Sequence, residues 1–458
     1  MINFSSFTIR RTLFAATLGL LSASSALAQA PVAFTAGNFV VVRVGDGAAA
    51  LSSAATATFL QEYTRTGTLV QTIALPTADA GTTLAFTETG SSTADASLSR
   101  SADGRYLILP GYNAAAGTAA VATTASATTN RLIGRIGADG VLNATTRISD
   151  AFSGTTGSGV NIRGAASANG SSFYAVGSAG GVVYTTFGNT GASTTLSTGS
   201  PTNLRSVNIF GGNLYVSSSS SPTFGVLQVG TGLPTAAGQT LALLNGFSTT
   251  TGPSSYGFFF TDQSAAVPGL DVVYVADDRA TADGGIQKWS LVGTTWTLNG
   301  TIGGSTTAAL RGLAGSVSGT TVTLVASGGG GLYAVTDNAG YNAAPSIAAL
   351  PAAIATPGTN TAFRGVAPAP LATALAARTA TAAELSLYPN PVQDMLTISL
   401  PTGSVAGHTA ELRDLLGRSV RTAATLPPSG QLSLAGLAAG TYLLTLDGSL
   451  TQRISKTE

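Results

Sequence analysis

Cysteine is absent from the chain and histidine occurs once. The first absence excludes a disulfide framework and every thiolate metal site. The second leaves His408 as the sole imidazole, so a Ser-His-Asp triad or a multi-histidine zinc centre would have to be built around that one group. It stands between Gly407 and Thr409 and reads as a solvated loop residue. Charge is scarce as well: charged residues make up 9% of the 458 residues, with a net charge of +1. Soluble domains usually carry roughly 25%. Nothing in this balance forms a basic field for nucleic acid or a polybasic membrane patch. Ser, Thr, Asn and Gly must solvate the surface. Aromatic residues are only 7%, yet 44% of the chain is hydrophobic, in short β-branched runs able to bury a core.

Beyond the N-terminus no apolar stretch approaches the ~20 residues a transmembrane helix needs. At the N-terminus itself, Arg10 and Arg11 precede the apolar run Leu13–Leu21, and Ala26-Leu27-Ala28 supplies a small-x-small site. This is the three-part build of a secretory signal peptide, expected over residues 1–28 with cleavage after Ala28.

From Val32 onward helical periodicity gives way to runs of Val, Ile, Tyr, Phe and Thr separated by Gly, Asn and Ser clusters, the pattern of strands and turns. One short phrase recurs: Asn161-Ile162-Arg163-Gly164, Asn203-Leu204-Arg205-Ser206, Ala309-Leu310-Arg311-Gly312 and Ala362-Phe363-Arg364-Gly365. Ser97-Leu98-Ser99-Arg100 is a looser copy, and a copy without its Arg is expected near Ser255-Tyr256-Gly257. The arginines stand 42, 106 and 53 residues apart from Arg163 onward, 106 being two periods of 53. Such periods, each holding about four strands, predict a β-propeller. Six blades fit best, with seven blades or a β-helix as the alternatives. The sixth blade closes from both ends, Phe363–Ala367 joining Phe39–Val44, Phe59–Thr64 and Leu69–Leu75, which removes an exposed sheet edge.

The propeller-like domain is expected over residues 32–367, and most of residues 32–370 resembles a family of secreted bacterial propeller-like proteins. The resemblance rests on Leu98–Leu107, on Gly211–Ser217, and on Tyr274-Val275-Ala276-Asp277-Asp278 followed by Gly284–Trp289. It implies a fold and a secreted life, and carries no activity.

Three constellations are candidate sites. Arg100, Arg163, Arg205, Arg311 and Arg364 could line a central channel and hold a carboxylate, phosphate or sulfated sugar. Their other reading is structural, each Arg wedging between blades and capping backbone carbonyls. Asp277, Asp278 and Asp283 could ligate Ca²⁺, although the spacing does not match an EF-hand loop, and Asx turns account for them equally. Trp289 and Trp296 form either a sugar-stacking platform or blade core. Gly328–Gly331 lacks the Lys-Ser/Thr of a phosphate loop and leads into a strand.

Residues 368–383, rich in Pro, Ala and Thr, read as a linker. Residues 385–458 then hold short alternating strands that predict a small Ig-like β-sandwich. Tyr388-Pro389-Asn390-Pro391, Asp414 with Gly417-Arg418, Gly440-Thr441-Tyr442 and Lys456 follow one another here. This tail resembles the C-terminal sorting domain of type IX secretion cargo in Bacteroidota. The resemblance implies the type IX secretion machinery as a partner, passage through the outer membrane, and release or attachment at the cell surface. Two readings of the whole chain remain open. One is a monomeric, non-catalytic propeller binding an extracellular glycan or peptide; the other is a calcium-dependent propeller hydrolase or lactonase built on Asp277, Asp278 and Asp283.

Overall fold

The computed structural model describes residues 31–154, 160–281, 283–303, 309–372, 385–400, 405–414, 418–447 and 450–458. The expected signal peptide lies outside them. The chain divides into two compact units, Met1–Ala372 and Thr373–Glu458. The only helical turn among the described residues is Val121–Thr123, in the Ala/Thr-rich insertion of the first unit.

The first unit is built of antiparallel sheets, five with four strands and one with three, plus the short pair Ala55–Thr56 and Glu88–Thr89. Blade 1 is the seam: Ala362–Pro368 from the end of the unit pairs with Phe39–Val44, followed by Thr58–Tyr63 and Leu69–Ala74. The inner strands of blades 2 to 6 are Ser99–Arg100, Ile162–Ala166, Val207–Phe210, Ser255–Thr261 and Leu310–Ser318. Each inner strand packs on the next, and that of blade 6 returns to Ala362–Pro368. The ring therefore closes as the repeat spacing predicts. Blade 6 keeps three strands, Leu332 forming an outer bridge with Ala355. The middle strands of the blades read as near-continuous apolar runs, Val272–Asp277 being buried throughout, because a neighbouring blade covers each face there, while outer strands such as Leu69–Ala74 are largely exposed or half-buried.

The inner strands meet at one level. Ser97 bridges Gly164 in parallel, with its amide on the Arg163 carbonyl at 2.9 Å, and the Gly365 amide donates to the Ala96 carbonyl at 3.0 Å. A Cβ on Gly257 would lie 2.7 Å from the Leu313 nitrogen, and one on Gly312 3.0 Å from the Arg364 oxygen. At Gly365 it would run into the Leu98 nitrogen and the Ala96 oxygen. Ser97, Gly164, Ser206, Gly257, Gly312 and Gly365 thus form a ring of small residues around the axis. Gly257, Gly312 and Gly365 are required there because neighbouring backbone occupies the space of a side chain, whereas at Gly164 the nearest backbone atom, the Val207 nitrogen, is 3.4 Å from a Cβ and blade 4 carries Ser206.

Blades 5 and 6 are tied by a buried polar triad. Lys288 Nζ sits 2.7 Å from Asp337 Oδ2, and Tyr274 Oη donates to the same oxygen at 2.6 Å. Burial alone would raise the Asp337 pKa, but Lys288, Tyr274 and the amides of Ser346 and Ala339 outweigh it and hold the group at about 2. Its contribution to stability is present above the ordinary carboxylate range and is lost as pH falls toward about 2.

The second unit is a two-sheet sandwich. Ser386–Tyr388, Met395–Ser399 and Gln431–Ser433 form one sheet; Ser419–Thr425, Thr409–Asp414, Gly440–Leu446 and Leu450–Lys456 form the other. Val392, Leu396, Ile398, Leu412, Leu444 and Ile454 share the core between them.

The small-residue ring gives a direct test. Gly365→Ala should destabilise the full chain by about 3 kcal/mol or more in urea denaturation, since backbone cannot yield as a side chain can. Gly199→Ala, where a Cβ meets nothing, should stay within about 0.5 kcal/mol of the parent.

Candidate functional site

The small-residue ring divides the centre of the propeller into two ends of different chemistry. On the side that precedes it, four inner strands present Arg163, Arg205, Arg311 and Arg364, one residue before the ring. Blade 5 places Tyr256 at that level and blade 2 places Ala96. Arg100 does not join them. Because Ser97 pairs with Gly164, Arg100 stands four residues further along its strand, on the opposite side of the ring.

The arginine end is occupied by its own contacts. Arg163 Nη1 donates to Asn203 Oδ1 at 2.6 Å and to the Leu204 carbonyl at 3.1 Å, clamping blade 3 to blade 4. Arg364 Nη2 donates to the Gly90 carbonyl at 2.9 Å and Nη1 to that of Phe363 at 3.3 Å. Arg205 and Arg311 share Asp278, the first 3.8 Å away and the second at 2.8 Å through Nη2. Both guanidinium groups lie against Tyr256, 4.2 and 5.4 Å from its ring centroid. The remaining cavity, bounded by Asp95, Ser206, Tyr256, Arg311 and Arg364, is about 40 Å³. That is room for a water or two.

Behind the arginines lies a buried acidic layer. Asp95 accepts from Asn161 Nδ2 at 2.6 Å, Ser92 Oγ at 2.8 Å and Thr89 Oγ1 at 3.1 Å. Burial raises its pKa, and those hydrogen bonds with Arg163 offset part of the rise. Glu88 is fully buried and neither carboxylate oxygen has a hydrogen-bond partner. Burial pushes it well above the usual range, Asp95 adds to this, and Arg364 opposes it. The Tyr112 hydroxyl is also buried, beside the Ile162 backbone, and burial pushes its pKa far up.

The three loop carboxylates each face a guanidinium. Asp277 takes Arg279 through both oxygens, with Nη2 at 2.6 Å, and also accepts from Gln287 and the Ser254 amide. Asp278 lies on Arg311, and Asp283, largely exposed, is 3.6 Å from Arg279 Nη1. Among the described residues no group of three His, Cys, Asp or Glu side chains is placed to hold a metal ion. Trp289 and Trp296 are each only 7% exposed. Trp289 stacks on Phe247 at 4.1 Å and Trp296 meets the Phe260 ring edge-on at 5.6 Å. Both indoles are core, so neither offers a face to a sugar.

Beyond the ring the channel widens into a pocket of about 490 Å³ to which all six blades contribute. Ile209 and Phe210, Phe258 and Phe259, Leu313 and Val366 supply most of its wall, with Ala168 from blade 3 and Ser99 and Arg100 from blade 2. Size and lining are those of a small-ligand site, apolar with a few polar groups. Reading the arginines as one set hid this pocket. Its signal was the run Phe258-Phe259-Phe260, which supplies aromatic walls where the repeat loses its Arg.

In the sandwich, Asn390 pins the Tyr388-Pro389-Asn390-Pro391 segment to the last strand, its Oδ1 accepting from the Ser455 amide at 2.9 Å and its Nδ2 donating to the Arg453 carbonyl at 3.1 Å. Tyr388 is exposed. Asp414 accepts from Arg418 Nε at 2.7 Å, while Gly417 lies outside the described residues. Gly440 opens a strand, Tyr442 Oη donates to the Ala438 carbonyl at 2.8 Å, and Lys456 Nζ lies 3.6 Å from Asp394. His408 pairs with Asp447 at 2.5 Å.

Glu88 makes the acidic layer testable. A carboxyl whose folded-state pKa lies above its unfolded value binds more protons when folded, so its contribution to stability falls as pH rises above about 4.5. Glu88→Gln should be more stable than the parent by about 1–3 kcal/mol near pH 8. The gain should close as pH falls toward about 4.5, read by urea denaturation across that range. A pH-independent difference would refute this account of the site.

Residues 386–457 match the secretion system C-terminal sorting domain model. No curated protein sequence matches the chain. Among solved structures, one similar chain is from a nidogen/laminin complex, at 11% identity and TM-score 0.40, covering 72% of this chain and 98% of that one. Another is PorZ, a surface component of the type IX secretion system of Porphyromonas gingivalis, at 13% identity and TM-score 0.38, covering 88% and 56%. A third is a putative 6-phosphogluconolactonase from Bacteroides uniformis, at 12% identity and TM-score 0.38, covering 87% and 100%. Likenesses this distant carry no argument about function. Among the described residues no helix is long and apolar enough to cross a membrane. The chain is a β-propeller-like protein that carries a type IX C-terminal sorting domain and is exported to the cell surface or secreted.

Proposed function

We propose that the propeller is a non-catalytic extracellular binding module whose ligand seats at the apolar end of the central channel. The observation that carries this reading is the pocket of about 490 Å³, walled by aromatic and aliphatic side chains from every blade. The arginine end supports it by contrast. Its cations are engaged with Asp278, Asn203 and backbone carbonyls, and the space left is about 40 Å³. Between a glycan and a peptide, the wall chemistry favours a peptide with large apolar side chains, because the two indoles that would stack on sugar rings are buried. In this reading residues 1–28 are removed on export, 32–367 form the binding unit, 368–383 are the spacer, and 385–458 engage the type IX machinery.

The test is a peptide and glycan array probed with the full exported chain, beside Ala168→Trp, which places an indole at the pocket wall. Apolar peptides should be retained by the parent and lost, by tenfold or more, in the variant. Retention that is unaffected by Ala168→Trp would move the site elsewhere.

A further inference from the structure

Arg100 is a cation without a counter-charge. Its Nη1 donates to the Ala369 carbonyl at 3.2 Å, and no carboxylate among the described residues forms an ion pair with it. The other arginines that flank the channel differ. Arg205 and Arg311 share Asp278, while Arg163 and Arg364 stand beside the buried Asp95. Arg100 meets only burial, which lowers its pKa without any acidic group to restore it. A guanidinium stays charged under such conditions. It therefore holds its charge, partly buried, at the wall of a largely apolar pocket where an anionic partner would be welcome.

The geometry around it defines that partner. Arg100 lines the pocket together with Phe210, Phe258, Phe259, Leu313 and Val366, so one charged anchor, with the neutral Ser99, Ser101 and Asn208, stands among large apolar walls. The guanidinium fork has five N–H groups, and only Nη1 is engaged with protein. The free edge suits a planar anion taken through two parallel hydrogen bonds. Resting on the reading that this pocket is the ligand site, we infer that its ligand is a carboxylate carried on an apolar body, the acid pairing with Arg100 and the body filling the aromatic end. A peptide C-terminus with a large apolar last residue and a free aromatic acid share this chemistry.

The experiment titrates the full chain calorimetrically with two matched pairs of probes. One is indole-3-butyric acid and its primary amide. The other is a pentapeptide ending in Leu-Phe, with a free C-terminal carboxylate or a C-terminal amide. In at least one pair the acid should bind about tenfold or more tightly than the amide, the range of a charge-assisted hydrogen bond. The pair that discriminates identifies the source. In Arg100→Gln the ratio should fall to near one, and Arg100→Lys, which keeps the charge, should preserve a preference for the acid. Equal affinities for acid and amide overturn the inference and leave the pocket as a neutral apolar site. An acid preference that survives in Arg100→Gln overturns it too. No binding of any of the four probes overturns both the inference and the ligand-site reading. Thermal denaturation of each variant separates lost recognition from lost folding, and Arg100→Lys keeps the test decisive should Arg100→Gln not fold.

Discussion

Six inner strands approach so closely that, at one level, neighbouring backbone fills the space of a side chain, and much of the first unit follows from that contact. It requires Gly at 257, 312 and 365, is looser at Gly164, and tolerates Ser at 97 and 206, whose hydroxyls stand 3.4 Å apart. Backbone hydrogen bonds run directly between blades there, as from Ser97 to Arg163 and from Gly365 to Ala96. A propeller more often relies on side-chain packing between its blades; here the centre is locked by main chain as well. The same contact closes the channel at its waist and makes two compartments from one axis.

The compartments differ in what faces their arginines. On the arginine side, guanidinium groups cap carbonyls, share Asp278 and lie against Tyr256, and the buried acids Asp95 and Glu88 lie behind them. Such a network is a structural device with little room for a guest. On the other side, one cation stands in a broad apolar pocket. Removing either partner of a buried pair such as Lys288–Asp337 leaves a charge stranded, at about 3–5 kcal/mol. Arg100 is only partly buried and carries no such pair, so a ligand that reaches the pocket meets a guanidinium with free donors.

Blade architecture was legible in the sequence because the Arg-Gly phrase is both frequent and spatially obligatory. Its spacing located five inner strands, and Phe363-Arg364-Gly365 located the seam with Phe39–Val44. The register of blade 2 was not legible. Ser97-Leu98-Ser99-Arg100 carries serine at the ring position, so the eye aligns its Arg with the others when Ala96 is the true equivalent. Asp277, Asp278 and Asp283 looked like oxygen ligands because the partner of Asp278, Arg311, is a blade away, and because nothing in the sequence shows that Arg279, in the same loop, folds back onto Asp277 and Asp283. Glu88 and Asp95 left no motif at all. A connecting segment carries them beneath the arginines, and only tertiary structure reveals it. The tail was legible because its motif residues have assigned tasks: Asn390 ties its turn to the last strand, and Asp414 holds Arg418.

Export and shape fit together: pairing Ala362–Pro368 with Phe39–Val44 covers edges that both would otherwise expose on a protein destined for the outside of the cell, leaving the outer strand of each blade as its edge. The most direct test of that closure is native-state amide hydrogen exchange on the full chain. Amides that pair Phe39–Val44 with Ala362–Pro368 should exchange only through global unfolding, at the same free energy as those pairing Ser172–Gly177 with Val182–Thr186 inside blade 3. Seam amides that exchange orders of magnitude faster, through a local opening insensitive to denaturant, would contradict a closed six-bladed ring.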